Sequence, residues 1–473
     1  MNEQELTMDN ENQAYHEFLK TKEIRSISAG FEPTENNPKL FQWQSDIVRW
    51  ALMKGRAAIF ADCGLGKTPM QLQWAAQVSA HEGKPVLICA PLAVAAQTQK
   101  EGIKFDVPVN VCRRGTDVRD GVNITNYEML EHFNADIFGG VVLDESSILK
   151  SSSSATRKLL TEMFRNTPFK LCCTATPSPN DYMELGTHSD FLRIMTQPEM
   201  LATFFCHDGG NTSQWRLKGH AEQKFFEWVA SWACCVTNPS DLGYDGSDYI
   251  LPELRITEIV TKSESMMDRD GQFLLVPEDT QTLNERREAR RNSIADRVQA
   301  AADIANGTEE QVLVWCDLNA DSEALANAIR DAVEVRGSQS PDFKEAAMNG
   351  FSDGSNRVLV SKPSIAGWGM NWQQCHVMIF VGLSDSFEAY YQAVRRCWRF
   401  GQKRPVEVYI ITSDAEGAVK QNIERKQADA QRLTRELVQF TKDILTAEIH
   451  RTTRISESYI TMERMNTPTW ISV

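Results

Sequence analysis

Ala61-Asp62-Cys63-Gly64-Leu65-Gly66-Lys67-Thr68 follows the apolar run Ala57-Ala58-Ile59-Phe60 and precedes the helix-like stretch Pro69-Met70-Gln71-Leu72-Gln73-Trp74. Strand, glycine turn and helix make the setting of a phosphate-binding loop. The glycines let the backbone curl until its N–H groups point at phosphate oxygens. The helix N-terminus adds a favourable dipole and further free donors. In such a loop Lys67 reaches the β- and γ-phosphates and the Thr68 hydroxyl ligates Mg²⁺. Position 61 is Ala where the strict G-x-x-x-x-G-K-[ST] pattern has Gly, and a glycine-rich turn that binds nothing is the alternative.

Outward from the loop, short apolar runs alternate with helix-like stretches: Val86-Leu87-Ile88-Cys89-Ala90, Val107 to Val111, Val122-Asn123-Ile124, Val141-Val142-Leu143 and Leu171-Cys172-Cys173. Continuous apolar runs between helices indicate a parallel sheet covered on both faces. A second series begins after Gln311, with Val312 to Trp315, Val333 to Val335, Val358 to Val360, Val377 to Phe380 and Val406 to Ile411, and no glycine-lysine loop follows its first strand. A second sheet without its own nucleotide loop suggests a partner that completes the first site. The fold class expected is α/β, two doubly wound parallel-sheet lobes with a helical insert and a C-terminal helix. The expected divisions are an N-terminal extension (1–40), a first lobe (41–190), a mainly helical insert or linker (191–300), a second lobe (301–415) and a C-terminal helix and tail (416–473).

Three further stretches carry chemistry. The strand Val141-Val142-Leu143 ends in Asp144-Glu145. Adjacent side chains at a strand end diverge, so one acid can hold Mg²⁺ while the other orients and deprotonates a water. Acid pairs also occur as plain loop starts. Thr174-Ala175-Thr176-Pro177 places two hydroxyls after the next strand, either as sensors of Glu145 or as a turn stopped by proline. Gln392-Ala393-Val394-Arg395-Arg396-Cys397-Trp398-Arg399-Phe400-Gly401-Gln402 sets Arg396 and Arg399 three apart, which on a helix gives one face with two guanidiniums. Guanidinium forks suit phosphate oxygens, and a basic surface helix is the bland reading.

The formal net charge of the 473 residues is −14. That excludes a surface broadly coated by nucleic acid and confines any such path to a local groove. Eleven cysteines, several inside apolar strands, read as reduced thiols rather than a disulfide framework. No apolar run is long enough to span a membrane, and the start Met1-Asn2-Glu3-Gln4-Glu5 does not resemble a signal peptide. A cytoplasmic location is expected, with no membrane partner. A short helix from Glu11 to Lys20 is expected, then a loop, then an amphipathic helix opening at Phe41-Gln42-Trp43-Gln44. Phe225, Trp228, Val229 and Trp232 share a helical face and read chiefly as packing. Cys206, His207, His220, Cys234 and Cys235 fit no compact zinc spacing. Arg286, Arg287, Arg290 and Arg291 form two stacked pairs, a solvated face or a phosphate-contacting patch. Residues 415–450 read as a long charged helix, and Trp470 as an anchor for the tail.

Taken in order, Gln44, the loop 62–68, Ala90 to Gln97, Ile124 to Glu128, Leu143 to Ser147, Thr174 to Asp181, Gly367 to Asn371 and Gln392 to Gln402 resemble the superfamily-two helicase core, and within it the Swi/Snf-type translocases. The last stretch is close to the family string Q-A-x-x-R-x-x-R-x-G-Q. The resemblance runs over residues 40–412, and relatives of that superfamily often carry Ala at position 61. It implies RecA-like lobes and an ATP site made by Gln44, Cys63, Gly64, Leu65, Gly66, Lys67, Thr68 and Gly369, with Mg²⁺ on Thr68 and Asp144. It implies catalysis by Lys67, Glu145, Arg396 and Arg399, with Arg399 as the arginine finger, and coupling through Thr174, Thr176 and Gln392. Gln44 would read the adenine edge, although an ordinary exposed glutamine is the alternative. Pro91, Thr125, Tyr127 and Lys362 fall in or beside segments that face nucleic acid in the family. Two positions depart from it: Ser147 and Trp398 stand where relatives often have histidine, and both bear on how hydrolysis is coupled to movement. The compact size also resembles bacteriophage-encoded helicases, which would place the protein in a host bacterial cytoplasm.

The expectation is therefore an ATP-hydrolysing nucleic-acid motor working on duplex DNA as a monomer, with possible protein partners on that DNA. A single-strand-stimulated DNA or RNA unwinding enzyme is one alternative. A nucleotide-switched binding or protein-remodelling ATPase is another.

Overall fold

The computed structural model describes residues 29–450 except 34–36, 92–93, 151–153, 209–210, 262–293, 367–369, 385 and 414–416. The expected helix at Glu11 to Lys20, the Arg286 to Arg291 run, Gly369 and Trp470 lie outside the described residues.

The chain enters the first lobe through α1 (Gln42–Lys54), whose Trp43, Ile47, Val48, Trp50 and Ala51 are buried. It then forms β1 (Arg56–Ala61), the phosphate-type loop, and α2 (Lys67–Glu82). Five strands follow: β2 (Val86–Ala90), β3 (Val109–Val111), β4 (Val122–Asn126), β5 (Gly140–Asp144) and β6 (Phe169–Thr174). After β6 come α3 (Leu185–Leu192), the hairpin β7 (Phe205–Asp208) and β8 (Asn211–Leu217), α4 (Glu222–Ala230) and β9 (Ala233–Val236). The first sheet has seven parallel strands in the order β3-β4-β2-β5-β6-β1-β9. Both of its faces are covered, which is why its strands are apolar along their whole length rather than alternating.

The second lobe has six parallel strands in the order β10-β15-β14-β11-β13-β12. They are β10 (Leu254–Thr261), β11 (Val312–Cys316), β12 (Ala332–Val335), β13 (Val358–Ser361), β14 (Val377–Val381) and β15 (Val406–Ser413). Between the last two lies α5 (Phe387–Val394). The two sheets are the RecA-like lobes expected from the alternation.

Residues 191–300 differ from the mainly helical insert read from sequence. Their described part holds four strands, and two of these join the lobes. β9 pairs with β1 beside the loop, and β10 forms the outer edge of the second sheet. β9 is a four-residue run directly after an aromatic helix, and β10 is a mostly exposed edge strand with Arg, Thr and Glu along it, so neither reads as an unbroken apolar run. Phe225, Trp228 and Trp232 are buried in the first lobe's core, on or just after α4.

The long helix α6 (Gly417–Ile449) returns from the second lobe to the first. Leu433 and Leu437 enter one core cluster of the first lobe, and Leu445 and Ile449 enter the other. Polar contacts hold the same side: Tyr182 donates to Glu436 (2.6 Å), Trp50 Nε1 to Glu448 (2.8 Å) and Arg49 to the Ile449 carbonyl (2.8 Å). The second lobe is therefore tied to the first at both ends.

Lys170, on β6, is fully buried, and its ammonium donates to the Phe191 carbonyl (2.9 Å) at the end of α3. Burial and the neighbouring Arg56 pull its pKa from 10.5 down to about 7. The unfolded chain thus binds more protons between pH 7 and 10.5, and this group adds stability as pH rises through that window. Its desolvation penalty is full below pH 7. Lys170→Met should therefore be most favourable below pH 7, and its advantage should shrink by an amount on the order of a few kcal/mol toward pH 10.5. Urea unfolding of both proteins at pH 6 and pH 10 measures this; a pH-independent difference would refute it.

Candidate active site

β1, β5 and β6 are neighbours, so three loops leave the same carboxyl edge of the first sheet. That edge is where open parallel sheets place their ligand crevice. The β1 loop turns through Gly64 (φ 90°) and Gly66 (φ 74°), both left-handed. Space enforces the same choice: a Cβ on Gly66 would lie 2.4 Å from Gln44 Nε2, and one on Gly64 would lie 2.9 Å from the Phe400 nitrogen of the second lobe. Lys67 Nζ is folded onto the loop and donates to the carbonyls of Ala61 (2.9 Å) and Asp62 (3.4 Å). Thr68 lies half-buried in the first turn of α2.

Asp144 ends β5, and its Oδ1 accepts from Gln71 (2.7 Å). Gln71 sits one helical turn beyond Lys67, so α2 supplies both the cation and the group that orients the acid. Glu145 has φ 52°, in the left-handed region that costs a bulky residue strain of about 1–3 kcal/mol. The twist turns its carboxylate away from the strand and toward Thr174, whose hydroxyl donates to Glu145 Oε2 (3.4 Å). Burial raises both carboxyls above the ordinary range. Lys67 opposes this at both positions, and the neighbouring Asp144 adds to the rise at Glu145.

The threonine loop leads on to the second lobe. Thr176 N donates to Thr174 Oγ1 (3.1 Å), and Thr176 Oγ1 donates to Glu388 Oε1 (3.2 Å) at the start of α5. Lys150 pairs with the other oxygen of the same buried carboxylate. Lys150, Pro179, Asn180, Ser386, Phe387 and Glu388 border a cleft of about 350 Å³ between the lobes.

Arg396 and Arg399 do not lie within a helix as read from sequence. α5 ends at Val394, with Arg395 as its cap, and the arginines occupy the turns that follow. They nonetheless converge, because both donate to the Met370 carbonyl, Arg396 at 3.0 Å and Arg399 at 3.2 Å. Arg396 is held further by the Gln392 carbonyl (3.1 Å) and side chain (3.0 Å). Arg399 Nε and Gln392 Nε2 are buried with no protein partner. Burial and then the charge of Arg396 pull Arg399 down to about 10, so the cleft favours an incoming anion. Gln392 Oε1 also accepts a weak bond from Cys63 Sγ (3.6 Å), which joins the arginine turn to the loop.

Other expected residues sit differently. Gln44 is buried with both amide ends engaged by backbone: its oxygen accepts from Phe41 N (3.1 Å) and its nitrogen donates to the Leu65 carbonyl (3.0 Å). It braces the loop and retains one N–H and one oxygen lone pair beyond these two bonds. Gln44→Ala should accordingly raise the KM for ATP about tenfold, with kcat changed less, the cost of roughly one lost hydrogen bond; equal KM values would refute the brace. Thr125 and Tyr127, assigned to nucleic acid, are both buried, and the Tyr127 hydroxyl donates to the Asp144 carbonyl (2.7 Å). Tyr127 supports the acidic strand end from inside, because the turn after β4 folds under it, and Thr125 is buried within β4. Pro91 and Lys362 are half-buried, directly after β2 and β13. His188 fills the space beside Ser146, with Nε2 3.2 Å from its hydroxyl, and burial pulls it down to about 4, so it is neutral there. Trp398 Nε1 donates to the Pro252 carbonyl (2.7 Å). Gln71, Glu388, Lys150, Tyr391 and Arg395 were missed from sequence. Gln71 alone had a local signal, its spacing from Lys67.

Among the described residues no three His, Cys, Asp or Glu side chains form a metal cluster, and no helix is long and apolar enough to cross a membrane. One hydroxyl and one carboxylate, Thr68 and Asp144, fit Mg²⁺, whose remaining ligands are characteristically phosphates and water. All eleven cysteines are free.

A phosphate-type loop and acid pair on one RecA-like lobe are faced by arginines from the other, a two-lobed arrangement of P-loop type. Residues 296–401 match the helicase conserved C-terminal domain. The bovine (Bos taurus) DNA annealing helicase and endonuclease ZRANB3 is 24% identical over 326 residues, 64% of this chain. The chain spans 28% of that relative's length. A solved structure titled Sulfolobus solfataricus SWI2/SNF2 ATPase core in complex with dsDNA aligns over 89% of this chain and 98% of its own, at 14% identity and a TM-score of 0.41. The domain match and the curated relative are both to helicase proteins.

Proposed function

We propose that the chain is an ATP-driven motor that translocates on duplex DNA, hydrolysing ATP to ADP and phosphate between its lobes. The observation that carries this is the approach of Arg396 from the second lobe to Lys67, Asp144 and Glu145 of the first, with Arg399 beside Arg396 on the Met370 carbonyl. Lys67 leaves its loop carbonyls to bind the β- and γ-phosphates, and Thr68 and Asp144 hold Mg²⁺. Mg²⁺ held there would supply positive charge against the phosphates. Glu145 accepts the proton of the attacking water. Arg399 and Arg396 place positive charge where the transferred phosphoryl group gathers negative charge. Thr174, Thr176 and Glu388 pass the state of Glu145 to α5, and Gln392 passes that of the loop to the arginine turn.

DNA as the track is favoured by the curated relative, which is named as a DNA annealing helicase. Pro91 and Lys362, on loops of the two lobes, are the contacts we assign to it. A monomer suffices, because one chain supplies both halves of the site. A bacteriophage origin rests on compact size alone.

The test is the steady-state ATPase rate without nucleic acid and with duplex DNA, single-stranded DNA or RNA, using Lys67→Ala as the blank. Stimulation by duplex DNA above the others supports the reading. Stimulation mainly by single strands or RNA shifts it to unwinding, and no stimulation by any of them refutes the nucleic-acid track.

A further inference from the structure

Arg395 has no role in the mechanism above, yet it is 5% exposed at the cap of α5. Its Nη2 donates to Asp62 Oδ2 (2.8 Å) and to the Cys63 carbonyl (2.6 Å), 333 and 332 residues away in sequence. The other Asp62 oxygen accepts from the Cys63 nitrogen (2.6 Å) and from the Tyr391 hydroxyl. The carboxylate is thus engaged on both sides, once by its own loop and twice by the second lobe. The Arg395 guanidinium also lies 5.1 Å from the Trp398 ring and 5.9 Å from the Tyr391 ring, a site that fixes its orientation. Beside it, Gly64 meets Phe400 so closely that a methyl group would not fit.

We propose that Asp62 and Arg395 form a nucleotide-independent joint that seats the second lobe on the phosphate loop, making Arg395 a positioning residue for Arg396 and Arg399. The contacts run directly from protein atoms of one lobe to protein atoms of the other. A buried ion pair repays its desolvation poorly as a source of stability, but it specifies register well. Register is what this place needs. Arg396 is the next residue and Arg399 one turn on, while Asp62 and Cys63 open the loop that Lys67 and Thr68 close. Tying Arg395 to the front of the loop sets the distance from both arginines to its phosphate-facing end. The arginines of the second lobe are then in place before nucleotide binds, and ordering them is not charged against hydrolysis.

The catalytic readout of this joint rests on the ATPase reading; the geometric readout does not. Fluorescent labels introduced by genetic code expansion at exposed Lys100 and Glu345, one on each lobe, report lobe separation in the full chain by energy transfer. Without nucleotide, Arg395→Gln and Asp62→Asn should each lower the transfer. At saturating ATP each should lower single-turnover hydrolysis about tenfold while ATP affinity changes less than threefold. The double variant should be no worse than either single one, because both remove the same bond. Undiminished transfer in both single variants, or effects that multiply in the double variant, would overturn the joint. A wild-type chain that hydrolyses no ATP would refute the ATPase reading, and the energy-transfer comparison would still decide for or against the joint.

Discussion

Glu145→Gln is expected to bind ATP within a few-fold of wild type and to hydrolyse it about 10²–10⁴-fold more slowly, the range general-base catalysis supplies. The amide keeps the size of the side chain and can still engage Thr174, so the left-handed turn at residue 145 survives. What is lost is the ability to take a proton. Two features of the site suit this carboxyl to that task. The strained backbone directs it away from Asp144, which leaves the metal-holding role to the other acid. Burial and the neighbouring Asp144 raise its pKa above 4.5, toward the working pH of a base. The sign follows directly: the base is its ionised form, so activity falls as pH falls through the raised value, and the acid limb of kcat/KM, which reports the free enzyme, is shifted upward with it. Rapid-quench hydrolysis across pH, alongside equilibrium ATP binding, measures both. Turnover near the wild-type rate in Glu145→Gln would remove this residue as the base.

Arg399→Ala should lower kcat about 10³-fold, the lower end of what an arginine finger contributes. The two arginines are not equivalent in the structure. Arg396 is held by the Gln392 carbonyl, the Gln392 side chain and the Met370 carbonyl. Among the described residues the Arg399 guanidinium donates to the Met370 carbonyl, and its buried Nε has no protein partner. A guanidinium with unspent donors is the one that can turn to a phosphoryl group. Arg396→Ala should therefore damage the turn as well as the chemistry, lowering thermal stability in addition to kcat. Arg399→Ala should leave stability nearly unchanged. Arg399→Lys should not rescue, because a single ammonium cannot reproduce the planar fork. Single-turnover rates with melting curves separate the two. The finger passes to Arg396 if Arg399→Ala keeps more than about a tenth of wild-type kcat and Arg396→Ala does not.

The parts of this protein legible in its sequence are those whose physics is local. Loop 61–68 announces itself because glycine, lysine and threonine must stand at fixed spacing between a strand and a helix. Asp144-Glu145 is legible because an apolar strand ends there abruptly. The two parallel sheets follow from unbroken apolar runs, since a strand buried on both faces needs no polar alternation. What the tertiary structure decided depends on residues far apart in the chain. β9 is only four residues long, and β10 is a largely exposed edge strand interrupted by polar residues, so neither shows an unbroken apolar run, and only their pairing with β1 and β15 makes them strands of the lobes. Tyr127 and Thr125 carry polar groups that a sequence cannot assign to inside or outside, and the fold buries them. Charge and periodicity mark α6 as a helix, but its seat on the first lobe depends on apolar partners more than 200 residues away. Gln44 reads equally well as a base-reader or a surface residue until the loop lies against it. The Asp62–Arg395 joint and the Thr176–Glu388 bond are farther still from any local signal. Each member looks like an ordinary polar residue until two lobes bring it within 3.5 Å of its partner and exclude water from both.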